Sequence, residues 1–179
     1  MANNTYQNQK IALRFSKKSI DKAARNIRYN CQDSDRLEAI EKIQNFREVH
    51  MYPLMLMKNH ISRAAKSINK RIIVARRLKR LSTIIDKLER PTLNGKSVNA
   101  IKLTRMQDIG GCRAIVKDLG ELNRLHEKLK ASKSQHKIIH TANYLNPKPS
   151  GYGGIHLIYS CFDEGGSENN WSKTKMPLQ

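Results

Sequence analysis

One run of this chain, Tyr144-Leu-Asn-Pro-Lys-Pro-Ser-Gly-Tyr-Gly-Gly-Ile-His156, gathers prolines, glycines, tyrosines, a lysine and a histidine. Proline fixes φ and glycine opens backbone angles closed to other residues, so the run reads as a shaped loop. An aromatic ring beside a lysine in such a loop suits a flat, charged ligand; the same residues also suit an ordinary turn. A second stretch carries charge of one sign. Lys58, Arg63, Lys66, Lys70, Arg71, Arg76, Arg77, Lys79 and Arg80 follow one another with no acid between them. Solvated helix faces usually mix signs, so this run points to a phosphate-bearing partner, whether nucleic acid or nucleotide. The third feature is Asp108, a lone carboxylate before two glycines and the run Cys112 to Val116, which contains Arg113.

Composition agrees with an anionic partner. The chain has 179 residues and a formal net charge of +19, from 34 Lys and Arg against 15 Asp and Glu. Its apolar content, 39%, is low but sufficient for one hydrophobic core. No apolar run reaches membrane-spanning length, and the N-terminus lacks the apolar stretch of a signal peptide. Cys31, Cys112 and Cys161 are scattered, without metal-ligand spacing, which suggests reduced thiols and a cytoplasmic protein.

The elements that must hold these residues follow from hydrophobic spacing. Ser16 to Ile27 reads as a weak helix. Asp33 and Ser34 are expected to cap a helix carrying Leu37, Ile40, Ile43, Phe46 and Val49, which Pro53 interrupts. Leu54, Met57, Ile61, Ala64 and Ile68 resume the helical period as a packing face. Clustered β-branched residues from Ile72 predict a strand running to Lys79. A short helix with Ile84, Ile85 and Leu88 follows, with Thr83 and Asp86 at capping-box spacing. Cys112 to Val116 predicts a strand, and Leu119, Leu122, Leu125 and Leu129 an amphipathic helix. Strands are expected from Lys137 and over Ile155 to Phe162, and a last one is expected to begin within Trp171 to Gln179. The fold class is α+β: a mixed sheet with flanking helices, preceded by a helical N-terminal region. The expected division is a helical region over 1–70 and a second domain over 71–179.

Three segments together resemble the RelA/SpoT-type alarmone synthetases. Arg77-Leu-Lys79, with Thr83, Ile84 and Lys87, is similar to their spaced basic motif. Asp108-Ile-Gly-Gly-Cys-Arg113 resembles their aspartate–glycine–arginine strand, and Tyr144 to Tyr152, ending at His156, their guanine-binding loop. The resemblance covers roughly Ile72 to Gln179, and no such signature lies in the first 70 residues. It implies a nucleotidyltransferase-type fold and transfer of the β,γ-pyrophosphate of ATP to the 3′-hydroxyl of GDP or GTP, with Mg²⁺. It further implies that Arg77, Lys79, Lys87 and Arg113 bind the ATP phosphates and that Asp108 ligates the metal. Lys148, Ser150, Tyr152 and His156 would form the guanine nucleotide site, with Tyr152 stacked on the base. Such chemistry needs charge neutralisation and alignment more than covalent help.

The chain also departs from the family's pattern. Pro177-Leu-Gln179 stands where the family carries the glutamate of a Glu-x-Gln-x-Arg-Thr strand, its second metal carboxylate, and the domain is expected to be incomplete at that end. A proline there is also expected to put the strand at an edge, or to fray it. Ser150 takes a position often held by asparagine and Gly154 one often held by serine, and Thr141, Ala142 and Asn143 stand where a basic residue is common. No histidine–aspartate hydrolase motif appears, so synthesis alone is implied. Two alternatives stand beside it: a toxin-type relative that modifies the 3′ end of tRNA, and an inactive nucleotide- or RNA-binding remnant. A homo-oligomer is compatible with the apolar N-terminal helix faces.

Overall fold

The computed structural model describes residues 10–29, 32–90, 102–146, 153–161 and 175–178, the last segment as backbone only. The chain divides into two compact units, Met1–Met51 with Leu78–Ile109, and Tyr52–Arg77 with Gly110–Gln179.

The first unit is helical. Helix α1 (Lys17–Arg28) opens on Ser16, whose hydroxyl accepts the Ser19 N–H at 3.1 Å. Helix α2 (Asp33–Glu48) begins behind Gln32 with no side-chain cap. Asp33 and Ser34, expected as caps, thus lie inside the first turn, where Asp33 and Asp35 favour the positive end of the helix dipole. Helix α4 (Leu81–Glu89) also starts earlier than expected, behind an extended Arg80, so the Thr83–Asp86 capping box does not form. The reason is packing. Leu81 joins Ile84, Ile85 and Leu88 on one stripe, and that stripe meets the core made by Ile20, Ile27, Ile43, Leu103 and Ile109. Leu103 belongs to a short 3₁₀ turn, Leu103–Arg105, tied to α1 by Thr104, whose N–H and hydroxyl both donate to the Asp21 carboxylate.

The second unit holds helix α3 (Met51–Lys66), helix α5 (Leu119–Lys130) and a five-stranded sheet. Its strands are β1 (Ile73–Leu78), β2 (Gly110–Ile115), β3 (Lys137–Asn143), β4 (Ile155–Ser160) and β5 (Lys175–Leu178), in the order β1-β2-β5-β4-β3. β5 runs parallel to β2 and antiparallel to β4, and β3 is antiparallel to β4, so the sheet is mixed. The architecture is α+β with a helical N-terminal region.

Two prolines behave differently from expectation. Pro53 does not interrupt a helix; it sits in the first turn of α3, where backbone N–H groups have no intrahelical partner to lose. Pro177 lies in the middle of the sheet, opposite Ile158, and not at an edge. A strand residue points its N–H to one neighbour only, so proline there removes a single ladder bond. Helix α5 is capped by Asp118, and Glu121 reaches back to the residue before the cap. Asp118 accepts the Glu121 N–H at 2.8 Å, and the Glu121 carboxylate accepts the Lys117 N–H at 2.9 Å.

Candidate functional site

In the first unit the chain brings together Lys79, Lys87 and Asp108. Lys79 Nζ donates to Asp108 Oδ2 at 3.0 Å, and Lys87 Nζ reaches both carboxylate oxygens at 3.0 and 3.1 Å. Each residue is held by its neighbours. Lys87 stands in the last turn of α4, beside the fully buried Leu88. Asp108 precedes Ile109, also fully buried, so the core fixes where the carboxylate emerges. Lys79 is clamped through its backbone: its N–H donates to the Ile109 carbonyl at 2.7 Å, and its own carbonyl accepts from Arg47 Nε at 2.7 Å.

Arg47 was not legible as a site residue. It sits on α2, and nothing in its local sequence marks it apart from the other charged residues of that helix.

The electrostatics of the cluster are those of two cations around one anion. Partial burial alone would raise the Asp108 carboxyl; the hydrogen bonds from Lys79 and Lys87, with their charges, hold it below the ordinary carboxylate value. The Lys79 side chain is the least exposed of the three, at 12%. With one charge left over, the cluster is a ready receptor for phosphate oxygens. As a resident metal site it is poor. Both carboxylate oxygens already face ammonium groups, and no group of three or more His, Cys, Asp or Glu gathers among the described residues.

The second unit holds Arg77, Arg113 and His156. Arg77 is exposed on β1 and Arg113 on β2. Arg113 lines a pocket of about 330 Å³ together with Leu122 and His126 of α5 and with Gly153, Gly154 and Ile155. His126 belongs to no sequence motif; its Nε2 is buried without a hydrogen-bond partner among the described residues. His156, on β4, meets the Tyr144 ring edge-on with centroids 5.0 Å apart. The loop between them is closed by a reciprocal pair of backbone bonds, Tyr144 N–H to the Gly154 carbonyl at 2.8 Å and the reverse at 3.3 Å. Gly154 has φ of +153°, an angle that side-chain-bearing residues avoid, so glycine suits this position. Lys148, Ser150 and Tyr152 lie outside the described residues.

Cys112 and Cys161 are free and buried. Burial pushes the Cys112 thiol up to about 12 and the Cys161 thiol up as well, so both stay protonated.

The model of the region found in RelA and SpoT proteins matches residues 76–176, more than half of the chain. The chain belongs to the RelA/SpoT family. The match takes in Arg77, Lys79, Lys87, Asp108, Arg113 and the loop from Tyr144 to His156. Among solved structures, small alarmone synthetase 1 from Bacillus subtilis is similar with a TM-score of 0.54 and 21% identity, covering 74% of this chain and 69% of that one. A structure of the Bacillus subtilis synthetase bound to its product pppGpp is similar with a TM-score of 0.52 and 21% identity, covering 74% and 71%. At such identity the likeness is one of fold. A search of curated proteins gave no match. Among the described residues of this RelA/SpoT chain, no helix is long and apolar enough to cross a membrane.

Proposed function

We propose that this RelA/SpoT chain is an alarmone synthetase that moves the β,γ-pyrophosphate of ATP to the 3′-hydroxyl of GDP or GTP. In that reaction the 3′-oxygen forms a bond to the β-phosphorus, the bond from β-phosphorus to the α,β-bridging oxygen breaks, and AMP leaves. The observation that carries the reading is the convergence of Lys79 and Lys87 on Asp108. Two ammonium groups held in place by a folded core suit the charge that develops on transferring phosphoryl oxygens. Arg77 and Arg113 would add fork-shaped donors to the ATP phosphates. Asp108 would be free to hold Mg²⁺ only once Lys79 and Lys87 turn from its oxygens to the nucleotide phosphates; when bound, the ion would neutralise phosphate charge. Lys148, Ser150, Tyr152 and His156 would bind the acceptor, with His156 oriented by the Tyr144 ring.

Incubation with ATP, Mg²⁺ and GDP or GTP tests this. The expected products are AMP and a guanosine nucleotide carrying a 3′-pyrophosphate; their absence at high protein concentration overturns the reading.

A second reading rests on charge. Arg63, Lys66, Lys70, Arg71, Arg76 and Arg77 are all exposed on the second unit, a density of positive charge suited to an RNA backbone. Transfer of label from ATP to bulk tRNA, with guanine nucleotides left unmodified, would favour tRNA as the acceptor. Nucleotide binding without turnover on any acceptor would favour an inactive remnant.

A further inference from the structure

The second unit contains a separate basic cleft, of about 590 Å³, formed by the C-terminal half of α3, the end of α5 and the turn leading into β3. His60 and Arg63 line it from α3, Lys128 from α5, and Ser132, Ser134 and His136 from the turn; no lining residue carries a carboxylate. The plain account of Arg63 and Lys128 is that they offset the negative ends of their helices, where both stand in the last turn. Each such end carries roughly half a negative charge, so two cations leave about one positive charge unspent.

The remaining groups are arranged as donors around that charge. Ser132 Oγ accepts the Ser134 N–H at 3.3 Å, and Ser134 Oγ accepts the His136 N–H at 3.1 Å. Both hydroxyl oxygens are thus engaged by backbone, and their O–H hydrogens remain for another acceptor. His60 packs edge-on against His136, with centroids 5.5 Å apart, and against Tyr159 at 6.0 Å. The His60 Nε2 and the Tyr159 hydroxyl are both buried without a hydrogen-bond partner among the described residues. Burial, then His136 and Arg63, hold His60 down to about 4, and burial with Arg63 lowers His136, so both rings are neutral near pH 7. His60 lines the cleft while Tyr159 packs behind it, so an oxyanion there would meet the two serine hydroxyls, the imidazoles and the two cations.

From this geometry we infer that the cleft between α3 and α5 is a phosphate-binding site, taking either the free ion or the phosphate group of a small ester. The fixed charge comes from Arg63 and Lys128, and direction comes from the Ser132 and Ser134 hydroxyls and the imidazoles.

The test is a titration of the full chain at pH 7 and constant ionic strength, read by the ring resonances of His60 and His136. Inorganic phosphate and glycerol phosphate are the two probes, with chloride as the control. Saturable shifts of both rings are expected with phosphate and not with chloride. The double substitution Arg63→Gln and Lys128→Gln should weaken binding by at least about tenfold, the loss of charge-assisted hydrogen bonds. Both side chains are exposed, so the fold should survive. Tighter binding of glycerol phosphate would identify an ester as the ligand, and equal or tighter binding of phosphate the free ion. No saturable shift in the wild-type chain, or saturation unaffected by the double substitution, overturns the proposal.

Discussion

Lys79 donates to Asp108 through its side chain and to the next residue through its backbone: Nζ meets Asp108 Oδ2 at 3.0 Å, and the Lys79 N–H meets the Ile109 carbonyl at 2.7 Å. The side-chain contact therefore sits on a backbone bridge that sets its distance. Asp108→Asn should keep the bridge and remove the charge. We expect pyrophosphate transfer to fall by about 10²–10³-fold, the scale for losing one preorganised charge at a reacting phosphate, with the circular dichroism spectrum unchanged. A loss below threefold would remove Asp108 from the reaction.

Arg47 should act through Lys79 and not on substrate. Its Nε supports the Lys79 carbonyl. Arg47→Met is expected to lower kcat by roughly tenfold, a misplacement effect. Arg47→Lys, which keeps a donor, should recover part of that loss. Equal defects in both variants would mean that Arg47 does something other than position the strand end.

Gly154 tests the loop. Replacement by serine, the residue of the family pattern, must force a side-chain-bearing residue to φ near +153°. Among the described residues no heavy atom lies within 4 Å of where the Cβ would stand, so the expected cost is backbone strain, about 1–3 kcal/mol. Urea unfolding should show that loss of stability, and weaker binding of GDP should accompany it. Unchanged stability would mean that the loop relaxes to another backbone angle.

Acid should weaken the fold through His50. This side chain is 3% exposed, and burial pushes it down to about 4, against the hydrogen bond to the Phe46 carbonyl, which acts to raise it. The unfolded imidazole titrates near about 6.5, so below that pH the unfolded chain gains a proton that the folded chain refuses. The contribution is full above about 6.5 and declines as pH falls toward 4, by about 3 kcal/mol in all. His50→Gln should flatten the urea midpoint between pH 6.5 and 4 relative to wild type. A parallel pH dependence in the two proteins would rule His50 out as its source.

Much of this protein was determined by local sequence. Apolar residues at helical spacing, such as Leu81, Ile84, Ile85 and Leu88, decide which face must be buried, and β-branched clusters decide where strands form. The α+β class and the order of the site motifs follow from such short-range patterns. The tertiary structure decided which side chains meet. Lys79 is separated from Asp108 by 29 residues and from Arg47 by 32, and no periodicity encodes contacts at that range. It also put Pro177 in the centre of the sheet, because neighbouring strands and not propensity fix a strand's place. The buried nitrogens of His60 and His126, without partners among the described residues, belong to the same class of fact. Burial of a polar atom is a property of everything packed around it, and a single chain segment does not carry that information.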